Sequence, residues 1–112
     1  MNPLHDPAPP CAAPDPHPRK PAYALPPLAC DSHAHVCGPA GLYPYSPGRI
    51  YTPPDALHAA YRHMLDTLGV ERCVLVQPSV YGSDNRAMLD ALALDPLRQR
   101  GVAVIEPDIA DA

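Results

Sequence analysis

The sequence predicts an α/β fold in which three short parallel strands alternate with two helices, behind a disordered proline-rich arm. Three observations lead there. Short apolar runs of the buried-strand type recur, Cys73-Val74-Leu75-Val76 and Val102-Ala103-Val104-Ile105. Segments with helical apolar spacing separate them, which is the alternation expected of a parallel sheet. Polar residues also collect just after each run, at the carboxyl ends of the strands, where α/β folds place their chemistry.

From residue 1 to about residue 27 the chain is mostly Pro, Ala and Asp with isolated histidines, and shows an apolar period of neither 2 nor 3.6. Such a segment buries too little to offset its chain entropy, so residues 1–27 read as a disordered, polyproline-like arm and residues 28–112 as the folded part. His5 and His17, far apart in that arm, read as solvated rather than as a metal-binding tail.

The first strand is expected within residues 28–39, Leu-Ala-Cys-Asp-Ser-His-Ala-His-Val-Cys-Gly-Pro. Side chains two apart on a strand share a face, so it delivers His33 and His35 to one side before Gly38-Pro39 turns the chain away. The loop that follows carries Tyr43, Tyr45, Arg49 and Tyr51. Its phenols and guanidinium either line a pocket for a flat, anionic substrate or cover one end of the sheet.

Thr52-Pro53-Pro54-Asp55 reads as a helix start, with Thr52 as N-cap, the prolines where no N–H is needed, and Asp55 at the positive end of the dipole. The helix should run to Leu68, with Ala56, Leu57, Ala60, Tyr61, Met64, Leu65 and Leu68 on one stripe and Gly69 as its stop. His58 and His63 are read as solvent-facing. Glu71–Gln77 is the second strand, ended by Pro78, with Ser79 and Tyr81 just beyond it. Ser83 or Asp84 caps the second helix, whose apolar positions are Met88, Leu89, Leu92 and Leu94. Val102–Ile105 is the third strand, followed by Glu106 and Asp108, and Asp111 reads as the N-cap of a further helix.

Composition narrows the function classes. A net charge of −4 offers no basic stripe to follow a phosphate backbone, so nucleic acid is excluded as the expected partner. No apolar run approaches the roughly 18 residues of a membrane span, and the uninterrupted apolar centre of a cleavable signal is missing. Cys11, Cys30, Cys37 and Cys73 form no paired framework, so reduced thiols in the cytoplasm are expected.

Right-handed crossovers bring the strand ends to one edge, so His33 and His35, Ser79, and Glu106 or Asp108 face a common region. The runs Asp31–Pro39, Arg49–Asp55 and Gln77–Asn85 together resemble the N-terminal third of an amidohydrolase-superfamily protein. The branch they are most similar to is the amidohydrolase-related group that contains 2-pyrone-4,6-dicarboxylate hydrolase (lactonase). The resemblance implies an incomplete (β/α)8 TIM-barrel-like fold, since a closed barrel takes about 200 residues or more. It also implies a hydrolase of a carboxylated lactone or a related C–O/C–N substrate, with His33 and His35 at the reacting carbonyl and Tyr51 and Ser79 holding the substrate. His33 and His35 would be the metal ligands if a divalent metal such as zinc is used, while the lactonase branch requires no metal. The later strands and their aspartate base are not in the sequence, so the isolated chain is expected to be inactive unless the missing barrel half or self-association completes it. The alternative is a small non-enzymatic metal-binding or interaction protein that uses His33 and His35 with Cys30 or Cys37.

Overall fold

The computed structural model describes residues 8–109; His5 and Asp111 lie outside the described residues. The element order is β1 (Cys30–Ala34), α1 (His58–Leu68), β2 (Arg72–Val76), a 3₁₀ turn (Ser79–Tyr81), α2 (Arg86–Leu94) and β3 (Gln99–Val102). Both strand pairings of the sheet are parallel and the spatial order is β1-β2-β3, so each crossover moves the chain one strand over. This is the α/β architecture the alternation predicts. No helix among the described residues is long and apolar enough to cross a membrane.

The core lies between sheet and helices. Leu75 and Cys73 of β2, Val36 after β1, Leu65 of α1, and Met88 and Ala91 of α2 are buried together. Gln99 opens β3 inside this layer, and its amide donates to the Ala91 carbonyl of α2 at 3.0 Å. Its carbonyl faces the Cys73 thiol at 3.6 Å and His58 Nε2 at 2.7 Å. A buried amide with partners on both sides is tolerated, whereas one without them costs a few kcal/mol.

Four expectations are corrected. α1 starts at His58, not at residue 53, because the preceding residues are engaged elsewhere: Thr52 pairs with Pro10, and Ala56 exchanges backbone hydrogen bonds with Cys37. β3 covers Gln99–Val102, since Gln99 and Gly101 supply the helix-facing side while Val102, Val104 and Ile105 stay exposed. In α2 the buried face is Ala87, Met88 and Ala91, and Leu89 and Leu94 are exposed. His58 points at β3 through Gln99 instead of at solvent. Gly69 does end α1 in a left-handed conformation, φ 80°, with its own N–H and that of Val70 returning to the last turn.

Candidate active site

Asp31 and Ala34 both turn toward α1 and the core: the Asp31 carboxylate accepts the Tyr61 hydroxyl at 2.7 Å, and Ala34 packs against the buried cluster. Residues three apart on a regular strand face opposite ways, and the β1–β2 register indeed shifts between Asp31 and Ala34. The bulge leaves His33 and His35 exposed with their rings 5.1 Å apart, edge to face. His35 lies one residue past the end of β1.

Its Nδ1 is 2.8 Å from the backbone carbonyl of Val76, the last residue of β2. A carbonyl only accepts, so Nδ1 carries the proton, and in the neutral ring Nε2 keeps its lone pair. Such a bond orients an imidazole that serves as a base or metal ligand. His33 is held through its backbone, whose N–H donates to Asp31 Oδ1 at 3.2 Å.

A second pair forms beside the 3₁₀ turn. Ser79 is exposed at its start and lies beside the Tyr51 phenol. Burial raises the pKa of Tyr51, as does the nearby Cys37 thiol, and the Ser79 hydroxyl opposes the rise. Tyr81 is buried, and its hydroxyl accepts the Gly38 N–H at 2.7 Å, tying the turn after β2 to the end of the first-strand segment. Ser46 N–H reaches the Val80 carbonyl at 2.6 Å and fixes the loop at its other end. The loop side chains therefore divide. Tyr43 bonds Asp90, Tyr45 donates to the Pro53 carbonyl, and Arg49 donates from Nε to Thr52 and from Nη1 to the Ser46 carbonyl, contacts within the scaffold.

Gln77 was not singled out by sequence reasoning, yet its amide donates to the carbonyls of Gly82 and Asp84 and holds the turn that presents Ser79. Its place directly before Pro78-Ser79 was the available signal. Glu106 and Asp108, read as facing the site, are exposed in a turn beyond β3.

Two imidazoles of which at least one keeps a free Nε2 suit a divalent cation such as zinc. Among the described residues no group of three or more His, Cys, Asp or Glu converges to hold one. Cys37 is buried with its thiol pushed up to about 11, first by burial and then by Cys11, which disfavours the thiolate a metal requires.

Residues 30–112 match the family profile described as amidohydrolase. A 2-pyrone-4,6-dicarboxylate hydrolase of Comamonas testosteroni is 45% identical over 96 residues, which cover 86% of this chain and 32% of that protein. A 4-sulfomuconolactone hydrolase of Hydrogenophaga intermedia is 39% identical over 102 residues, 91% of this chain and 34% of that one. A solved structure from Acinetobacter baumannii, described as a probable 2-pyrone-4,6-dicarboxylic acid hydrolase with citric acid bound, superposes with a TM-score of 0.66. It is 34% identical and covers 70% of this chain and 29% of its own. An apo structure from Agrobacterium tumefaciens gives a TM-score of 0.71 at 29% identity, covering 82% of this chain and 32% of its own. The chain thus spans about a third of the length of the relatives it matches.

Proposed function

The chain belongs to the amidohydrolase family, and from that premise we propose that it carries the imidazole half of a site hydrolysing a carboxylated lactone of the 2-pyrone-4,6-dicarboxylate type. The observation that carries the reading is the His33–His35 pair at the carboxyl end of β1, with His35 oriented by the Val76 carbonyl. Water adds to the lactone carbonyl, the carbonyl oxygen takes the charge, and collapse breaks the ring C–O bond to leave a new carboxylate beside the two the substrate already carries, and an enol. His33 and His35 stand at that carbonyl. Protonated, they donate to the developing oxyanion; neutral, they are the residues that would hold a divalent cation, which when bound supplies Lewis acidity at the same oxygen. Tyr51 and Ser79 orient the substrate's carboxylates through their hydroxyls. We assign the base that takes the proton from water to the part of its relatives that this chain does not span, so the 112-residue chain alone is silent. Residues 28–112 are in this reading the N-terminal part of the barrel, working in the cytoplasm on a small molecule and without nucleic acid.

The test is the decay of pyrone absorbance with 2-pyrone-4,6-dicarboxylate, using the longest reading frame that contains this chain. His33→Ala and His35→Ala should each lower kcat/KM by roughly 100-fold or more, and Tyr51→Phe and Ser79→Ala should raise KM by about tenfold. Undiminished turnover in both histidine variants would sink the assignment. Hydrolysis by the isolated chain that vanishes on His33→Ala would refute its silence.

A further inference from the structure

We infer that residues 8–15 form a strap that holds Tyr51 in place, with Thr52 as its positioning residue. Thr52 makes a parallel bridge with Pro10: its N–H donates to the Pro9 carbonyl at 2.8 Å, and its carbonyl accepts the Cys11 N–H at 3.3 Å. The bridge uses the groups on either side of Pro10 and needs no N–H from Pro10 itself, so a proline fits there. The Thr52 hydroxyl also donates to the Ala8 carbonyl at 2.7 Å, and Ala8 is buried. The same oxygen accepts Arg49 Nε at 3.1 Å, while the Arg49 guanidinium carbon sits 5.8 Å from the Tyr45 ring centre.

Tyr51 stands between these anchors. Its neighbour Ile50 is 76% exposed, whereas Tyr51 packs against the buried Cys37, Val80, Tyr81 and Ala87 group. Nothing in residues 49–52 belongs to a helix or strand, so the backbone around Tyr51 is fixed by the strap and by Arg49. The arm reaches the other pair as well. Pro14 and Asp15 line a cavity of about 80 Å³ with His35, Tyr61 and Met64. One short segment therefore touches the surroundings of both residue pairs, and prolines at 9, 10 and 14 limit the entropy lost when it docks. The inference rests on the proposed contact of Tyr51 with substrate only for its kinetic arm.

The deciding variant is Thr52→Val, which keeps the shape and removes the hydroxyl, with Thr52→Ser as rescue. In the full chain, the amides of Cys11 and Thr52 should be protected from hydrogen exchange and lose protection about tenfold in Thr52→Val. In spectra with ¹³C-labelled tyrosine, assigned with Tyr51→Phe, the raised Tyr51 titration should fall toward the ordinary phenol range in Thr52→Val and return in Thr52→Ser. Unprotected amides in the parent chain, or a Tyr51 titration unmoved while those amides open, would overturn the strap. In the active protein Thr52→Val should raise KM about fivefold with kcat within about twofold. An effect confined to kcat counts against a positioning role. If the parent hydrolyses no pyrone, the functional reading fails, and the exchange and titration results still decide the strap.

Discussion

Cys37 lies two residues beyond His35 but turns inward, against Tyr45, Tyr51 and Tyr81, where burial holds its thiol at about 11. Burial likewise raises Cys73, while Cys11 and Cys30 are exposed. All four are free. The native chain should therefore show two thiols that react readily with a disulfide reagent at neutral pH, and two that react only on unfolding. Four thiols modified at one rate would contradict the packing. The same burial gives a pH dependence with a definite sign. The folded Cys37 pKa is raised, so the folded state binds the proton more tightly than the unfolded chain does. Its contribution is fully present below the ordinary thiol range and is lost as the pH climbs through that range toward 11, roughly 2 to 3 kcal/mol in all. Tyr45, raised to about 12 chiefly by burial, extends the decline. Denaturant midpoints should be level through neutral pH and fall on the alkaline side, and Cys37→Ala should flatten the first part of the fall. In the sequence, Cys37 beside His35 suggested a ligand. Only the packing of three tyrosines, one of them from the turn after β2, says otherwise.

Gly38 and Gly69 both have positive φ, 86° and 80°, yet they should respond differently to the same substitution. At Gly69 a new Cβ meets nothing within 4 Å, so Gly69→Ala costs only backbone strain, about 1 kcal/mol. At Gly38 the Cβ would come within 2.9 Å of the Asp55 carboxyl carbon and 3.3 Å of its Cα, so Gly38→Ala adds a clash and should cost about 3 kcal/mol. Thermal midpoints of the two variants check the order, and Asp55→Ala should recover part of the Gly38→Ala loss. Equal midpoints would mean that the Gly38–Asp55 approach does not constrain the element. These elements also mark what was legible. The end of α1 was, because an apolar stripe followed by glycine is a local signal. Its start was not, because Thr52-Pro53-Pro54-Asp55 is equally local as a cap, and the competing partners, Pro9, Pro10 and Cys37, lie far away in sequence. β3 was displaced for a similar reason: Gln99, polar by type, is buried through its contacts with Ala91 and His58. The His33–His35 pair survived a bulge that strand periodicity does not announce.

The described fold measures 49 × 42 × 20 Å with a radius of gyration of 15.8 Å, against roughly 13 Å for a compact domain of this length. A short axis of 20 Å accommodates one sheet and one helix layer and nothing more. Fold class and strand order were legible because β/α alternation with right-handed crossovers leaves one simple arrangement. Which apolar residues are covered was not, since that depends on what packs against the second face of the sheet. Val102, Val104 and Ile105, the most strand-like run near the end of the sequence, are 52%, 43% and 62% exposed, and Leu89, Leu94 and Leu97 are exposed as well. Exposed apolar side chains in this number bind dyes and other proteins where they adjoin. At neutral pH the chain should enhance the fluorescence of an anilinonaphthalene dye while keeping a cooperative denaturation transition, which separates a native uncovered face from a molten state. Its weight-average mass in sedimentation should rise with concentration, since β1 and β3 are also open edges. Val102→Ser with Ile105→Ser should weaken both signals without lowering the denaturation midpoint, because neither side chain is buried. A monomeric chain with no dye binding at about 100 µM would show that the sheet's second face needs no cover. The reading of this fold as one portion of a larger barrel would then lose its physical support.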